Sequence, residues 1–99
     1  MTHGKVFSSA GIAYQYWLSD DNKLHRDDGP AVIHLNGTEE WFEHGRRHRV
    51  GGPAVFGPDG NVLWFLNDRI VTSKEAYQSM LNLSDEDMLL LILKYGDIG

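Results

Sequence analysis

A chain of 99 residues is one small domain with room for a modest core. It has no cysteine, which excludes disulfides and thiolate-held metals, and its longest apolar run, Met88 to Leu93, falls far short of the ~20 residues of a membrane span. The net charge of −5 argues against a nucleic-acid-binding domain of the usual basic kind, and with no leader or lipidation motif a cytoplasmic protein is expected.

Gly4 to Phe7 and Ile12 to Leu18 read as two strands around a turn at residues 8–11, and Ser19-Asp20-Asp21-Asn22 reads as a polar turn. From His25 onward one unit is written twice. His25-Arg26 recurs as His48-Arg49, Gly29-Pro30-Ala31-Val32 as Gly52-Pro53-Ala54-Val55, Gly37 as Gly60, and Trp41-Phe42 as Trp64-Phe65, each pair 23 positions apart. A fixed period of this size marks a repeat array, one supersecondary unit per repeat. Trp17 lies eight residues before His25 where Trp41 lies seven before His48, so the first half-copy is a terminal, degenerate one.

Each unit reads as a β-hairpin. Pro30 lacks an N–H and suits a strand's first residue, and Ala31 to Leu35 is a short β-branched run. Asn36-Gly37 supplies the positive-φ pair of a tight turn. Thr38 to Glu43 returns, with Glu39, Trp41 and Glu43 on one face and Glu40 and Phe42 on the other. His44-Gly45 makes the next turn. The second copy runs out through Ala54-Val55-Phe56, turns at residues 57–60, and comes back through residues 62–66.

The residues Leu24-His25-Arg26, Asp28-Gly29-Pro30-Ala31-Val32, the turn Gly37 and then Trp41-Phe42 resemble a MORN-like hairpin repeat of the type found in tailed phages and bacteria, with antitoxin-like relatives. The resemblance covers roughly residues 14 to 72, and several positions agree at one offset. It implies a phage-encoded accessory factor. In the second copy Asp27-Asp28 become Val50-Gly51, so a role resting on those acids belongs to the first copy alone.

Helix signals follow the second copy. Thr72 with Glu75 three residues on fits a capping box opening a helix over 73–81, and Asn82 breaks it. Ser84 caps a second helix with Asp85, Glu86 and Asp87 in its first turn, Lys94 in its last, and Gly96 at its end. Leu83 and Met88 stand at hydrophobic-staple spacing. This second helix is apolar nearly all round, so it needs cover on more than one side. A homodimer through it is expected.

The five histidines invite a metal reading, but Gly45 between His44 and His48 excludes a helical ligand pair and no zinc-site spacing exists. His25 and His48 read instead as turn residues bonding backbone at equivalent corners. No nucleophile stands with a spaced base, and the glycines occupy turns and not a phosphate loop, so neither catalysis nor a cofactor is expected. Charge is uneven: residues 20–43 hold seven acids against Lys23 and Arg26, while 44–72 hold four arginines against Asp59 and Asp68. Arg46, Arg47 and Arg49 near Trp41 and Trp64 are the ingredients of a single-strand platform. Phosphoinositide binding is a second function that MORN resemblance implies. Both need a continuous basic footprint, and pairing of these arginines with the first repeat's acids is the preferred reading.

The expected architecture is α+β, a single domain over residues 1–99: an antiparallel meander of repeated hairpins over 1–71, and two helices over 72–99 covering one face. The expected function is non-enzymatic protein binding. The sharpest form is an inhibitor of a bacterial defence system, anti-CRISPR-like, working in the host cytoplasm by blocking a nucleic-acid-binding surface. The alternatives are an antitoxin or immunity protein against one toxin, and a nucleic-acid- or phosphoinositide-binding repeat. No membrane partner is expected. The candidate docking residues are Asp20, Asp21, Asp27, Asp28, Glu39, Glu40 and Glu43 with Trp41 and Tyr16, and the second candidate surface is Arg46, Arg47 and Arg49.

Overall fold

The computed structural model describes residues 3–9 and 12–98, with side chains from Gln15 to Ile98. Turn chemistry sets its plan. His44 (φ 51°) with Gly45 (φ 81°), and Asn67 (φ 50°) with Asp68 (φ 69°), are paired positive-φ turns at equivalent places in the two copies. Such pairs match the right-handed twist of the strands they join. The other corner differs from expectation. Only Gly37 is left-handed there, and the loop spans Leu35-Asn36-Gly37, closed by His34 N–H to Thr38 C=O at 2.9 Å. Gly57 to Asn61 repeats it, with Gly60 in the glycine position, as does Ser19 to Lys23 with Asn22 there. One glycine or asparagine suffices because the first loop residues adopt ordinary negative φ. Of the turn expected at residues 8–11, Ser8 and Ser9 instead continue the first strand, and residues 10 and 11 lie outside the described residues.

The strands are β1 (His3–Ser9), β2 (Ile12–Leu18), β3 (Val32–His34), β4 (Glu39–Glu40), β5 (Phe42–Glu43), β6 (Arg46–Arg47), β7 (Val55–Phe56), β8 (Val62–Leu66) and β9 (Arg69–Val71). Seven form one antiparallel sheet in the order β1-β2-β3-β4-β7-β8-β9, and β5 and β6 form a separate hairpin. The run expected to be one strand over 38–43 is interrupted at Trp41. Its N–H donates to Ala54 C=O (2.6 Å) and its C=O accepts from His48 N–H (3.1 Å), so it serves two segments of the next copy and leaves the main sheet. Trp17 makes the same two bonds, to Ala31 and from His25.

Two helices follow, α1 (Lys74–Leu81) and α2 (Asp85–Tyr95). The α1 cap is Ser73 and not Thr72: its hydroxyl accepts from Ala76 N–H, and no Glu stands at the position a capping box needs. Asn82 ends α1 in the left-handed region, Ser84 caps α2 through Asp87 N–H, and Gly96 at φ 96° ends it. The helices cover one face of the sheet at its β8–β9 end. There Trp64, Leu66 and Val71 bury against Tyr77, Met88 and Ile98. A second cluster, Ala31, Val32 and Phe42 with Tyr16 and Leu24, holds the first copy together. The apolar burial is thus split into two small cores.

Candidate interaction surface

The repeated His-Arg and Gly-Pro residues form one locking device, used twice. The N–H of His44 donates to Nδ1 of His25 at 3.0 Å, and 23 positions on the N–H of Asn67 donates to Nδ1 of His48 at 3.0 Å. Each histidine therefore receives the first residue of the next corner turn, the backbone role that its repetition suggested. An Nδ1 that accepts leaves the ring proton on Nε2. In His25 that atom stands 2.7 Å from Asp27 Oδ1.

The arginine beside each histidine packs inward. The Arg26 guanidinium lies 4.0 Å from the Trp17 ring and donates to Pro30 C=O at 3.2 Å. Arg49 repeats this, 3.8 Å from the Trp41 ring and 3.1 Å from Pro53 C=O. Gly29 and Gly52 are glycine because of this contact: a Cβ there would stand 2.8 Å and 2.7 Å from the respective guanidinium carbons. The spacing Arg-x-x-Gly, present in both copies, was the readable signal for this stack, and periodicity alone did not reveal it.

Arg49 is also closed from the helix side. It donates to the Tyr95 hydroxyl at 3.1 Å. Beneath it the buried Tyr77 hydroxyl donates to Arg49 C=O at 2.7 Å and accepts from Gly51 N–H at 3.0 Å. Burial raises the Tyr77 hydroxyl above its ordinary pKa, against the lowering effect of the Gly51 and Gly52 N–H groups.

The candidate acids divide sharply. Glu40 points into the structure, its side chain 15 % exposed, with Oε2 2.6 Å from His34 Nε2 and Oε1 accepting from Arg47 Nε and an Arg47 terminal nitrogen at 3.1 and 3.0 Å. Burial pushes its carboxyl up, but the hydrogen bonds from His34 and Arg47 outweigh this and hold it below the usual glutamate value. Arg47 in turn lies over Phe42 and Phe65. Glu40 and Arg47 are thus a built, half-buried pair.

The remaining candidate acids, Glu39 excepted, face outward. Asp27 and Asp28 are 80 % and 88 % exposed, whereas their partners His25 and Arg26 are 10 % and 25 % exposed. Asp20, Asp21 and Glu43 are also exposed, and the Ser19 hydroxyl on Asp21 holds that carboxyl low. Glu39, Trp41 and Tyr16 are half-buried, Trp41 under Arg49 and Tyr16 beside the first-copy core. Of the arginine surface only Arg46 is exposed and without a partner among the described residues. The fold spreads the three arginines over separate tasks and makes no basic platform of them.

Among the described residues no group of three or more His, Asp or Glu side chains could hold a metal, and no helix is long and apolar enough to cross a membrane. Two surfaces stand out by contrast: the acidic loop at Asp27-Asp28, and an apolar stripe on α2 where Leu89, Leu90 and Leu93 are exposed. Comparison with protein-family models, curated proteins and solved structures returned no match.

Proposed function

We propose that the chain is a non-enzymatic binding protein whose first repeat presents carboxylates to a basic surface on a protein partner. One observation carries this reading: in the loop that opens the first repeat the cationic side chains of His25 and Arg26 turn inward and the carboxylates of Asp27 and Asp28 turn outward. His25 and Arg26 are spent on the next turn and on Trp17, while Asp27 and Asp28 extend from the same loop into solvent. The second copy, with Val50 and Gly51 in their places, keeps the internal stack and lacks the acids. The stack alone therefore does not require Asp27 and Asp28. A fixed anionic loop steers association with a cationic site and is sensitive to salt. The partner class proposed is a nucleic-acid-binding effector of a bacterial defence system, blocked at its nucleic-acid site.

The test is phage plaquing on a panel of bacterial strains, each carrying one nucleic-acid-targeting defence system and expressing this chain. At least one strain should regain plaquing close to that of the same strain without its defence system. The variant Asp20→Lys, Asp27→Lys, Asp28→Lys should return that strain to full defence while keeping the wild-type melting profile. Glu40 is left untouched because its carboxylate is largely buried against Arg47 and His34, whereas Asp27 and Asp28 pair in solvent, where an ion pair contributes little to stability. A panel with no rescued strain overturns the defence-inhibitor reading. Rescue undiminished by the charge reversals overturns the acidic surface.

A further inference from the structure

The outward face of α2 carries an apolar stripe, as does its inward face. Met88, Leu91, Ile92 and Tyr95 pack on the core, spaced i, i+3, i+4, i+7. On the opposite side Leu89, Leu90 and Leu93 are 56 %, 57 % and 73 % exposed. At about 100° per residue this second stripe lies nearly diametrically across the helix from the first. It is bracketed by charge: Glu86 at its start and Lys94 at its end are exposed, and Glu86 has no partner among the described residues.

We propose that this stripe is a self-complementary interface on which a second copy of the chain docks, α2 against α2 in antiparallel orientation about a two-fold axis at Leu90. Glu86, Leu90 and Lys94 fall at i, i+4 and i+8, one ridge along the helix. An antiparallel copy with its axis at Leu90 sets Leu90 against its own equivalent and each Glu86 against the other copy's Lys94. Leu89 and Leu93 fill the flanking grooves. The helix ends argue for the same orientation. Asp85, Glu86 and Asp87 crowd the first turn and Lys94 is the basic residue of the last. A parallel pair would bring six acids together at one end, and an antiparallel pair sets each acidic end against a basic one.

The size of the patch sets the strength. Three leucines a little over half exposed offer roughly 300 Å² of apolar surface per copy, within the range of the largest patch on ordinary monomers and below a standard interface of ~800 Å² per partner. A reversible dimer in the tens of micromolar is expected, and it does not depend on the acidic-loop reading.

Sedimentation velocity of the full chain from 5 to 500 µM reads it directly. The wild type should move from its 11.2 kDa monomer toward twice that mass. Leu90→Glu sets two carboxylates face to face on the axis and should stay monomeric at every concentration, with an unchanged circular dichroism spectrum because Leu90 is exposed. Glu86→Lys and Lys94→Glu should each weaken the dimer about threefold to tenfold, two exposed pairs being lost, and the double swap should restore it. A wild type that remains monomeric at 500 µM overturns the proposal, as does a dimer that survives Leu90→Glu. A dimer tightened by Glu86→Lys alone would mean parallel helices and overturns the antiparallel geometry.

Discussion

Gly52→Ala and Gly29→Ala are the same substitution at equivalent places in the two copies, and they should differ in cost. Neither glycine has a positive φ, so alanine meets no backbone strain, and a stiffer unfolded chain offers about 0.4–1 kcal/mol of stabilisation at each. The difference lies in the arginine that the new methyl group strikes. At Gly52 the Cβ would stand 2.7 Å from the Arg49 guanidinium carbon, and Arg49 cannot simply swing aside. It is held over Trp41, bonded to Pro53 C=O, and shut in by the Tyr95 hydroxyl. Losing one charged hydrogen bond costs about 1.5–3 kcal/mol and loosening the ring contact about 0.5–1 kcal/mol more. Net of the unfolded-state gain, Gly52→Ala should destabilise by roughly 2 kcal/mol. Among the described residues Arg26 has no such lid. Its hydrogen-bond partners, Asp28 and Pro30, belong to its own loop, so the guanidinium can move into water, and Gly29→Ala should fall within about 0.5 kcal/mol of wild type. Urea unfolding followed by fluorescence of the three tryptophans measures both. Equal costs, or a larger cost at Gly29, would refute the role given to Tyr95 as the closure over Arg49.

Tyr77→Phe keeps the packing and removes the hydroxyl that joins Arg49 C=O to Gly51 N–H, so it should cost roughly 1–3 kcal/mol in the same assay. A melting curve superimposable on wild type would remove Tyr77 from its place beneath the second copy. Glu40→Gln tests the Glu40–Arg47 pair through pH. Because the folded Glu40 carboxyl titrates below its unfolded value of about 4.3, its stabilisation is present above that value and is lost as pH falls through the folded one. The variant should be less stable at pH 7 and show a flatter loss of stability in acid. Parallel curves of stability against pH would deny Glu40 that contribution.

The repeat, the corner at His44-Gly45 and the cap at Ser84 were legible because each depends on residues adjacent in sequence. A 23-residue offset needs no tertiary knowledge, and neither does a serine three residues ahead of a free N–H. What failed to show was decided at longer range. The break at Trp41 arises because its two backbone groups are claimed by Ala54 and His48, in a copy not yet reached by the chain. Glu40 and Glu39 are neighbours of identical chemistry, yet strand alternation sends Glu40 to Arg47 and His34 and leaves Glu39 half-buried without them. The acidic cluster was therefore legible as composition, whereas which acids remain available was not. The same limit applied to the turn at Asn36-Gly37. An Asn-Gly pair favours two left-handed residues, but here the Asn36 side chain accepts from Thr38 N–H, and the loop takes a third residue.

The end of the array follows from the same stack that builds it. Each tryptophan needs a lid, and within the array that lid is the arginine of the next copy: Arg26 over Trp17, Arg49 over Trp41. After Trp64 the positions that would hold a third histidine and arginine are Val71 and Thr72. Val71 goes into the core, and the missing lid comes from the helices. Tyr77 meets the Trp64 ring edge-on at 4.8 Å, and Tyr95 meets it at 6.1 Å while also reaching Arg49. An aromatic pair replaces a guanidinium, so the last tryptophan is sealed without another repeat. A terminal repeat must present a face unlike the interior ones or the array stays open to further stacking. Here the helices supply that face, and supplying it requires α2 to turn Met88, Leu91, Ile92 and Tyr95 inward. The leucines on its far side have no part in the seal. They are surplus to folding, as Asp27 and Asp28 are surplus to the stack, and both surfaces are accordingly where binding is proposed.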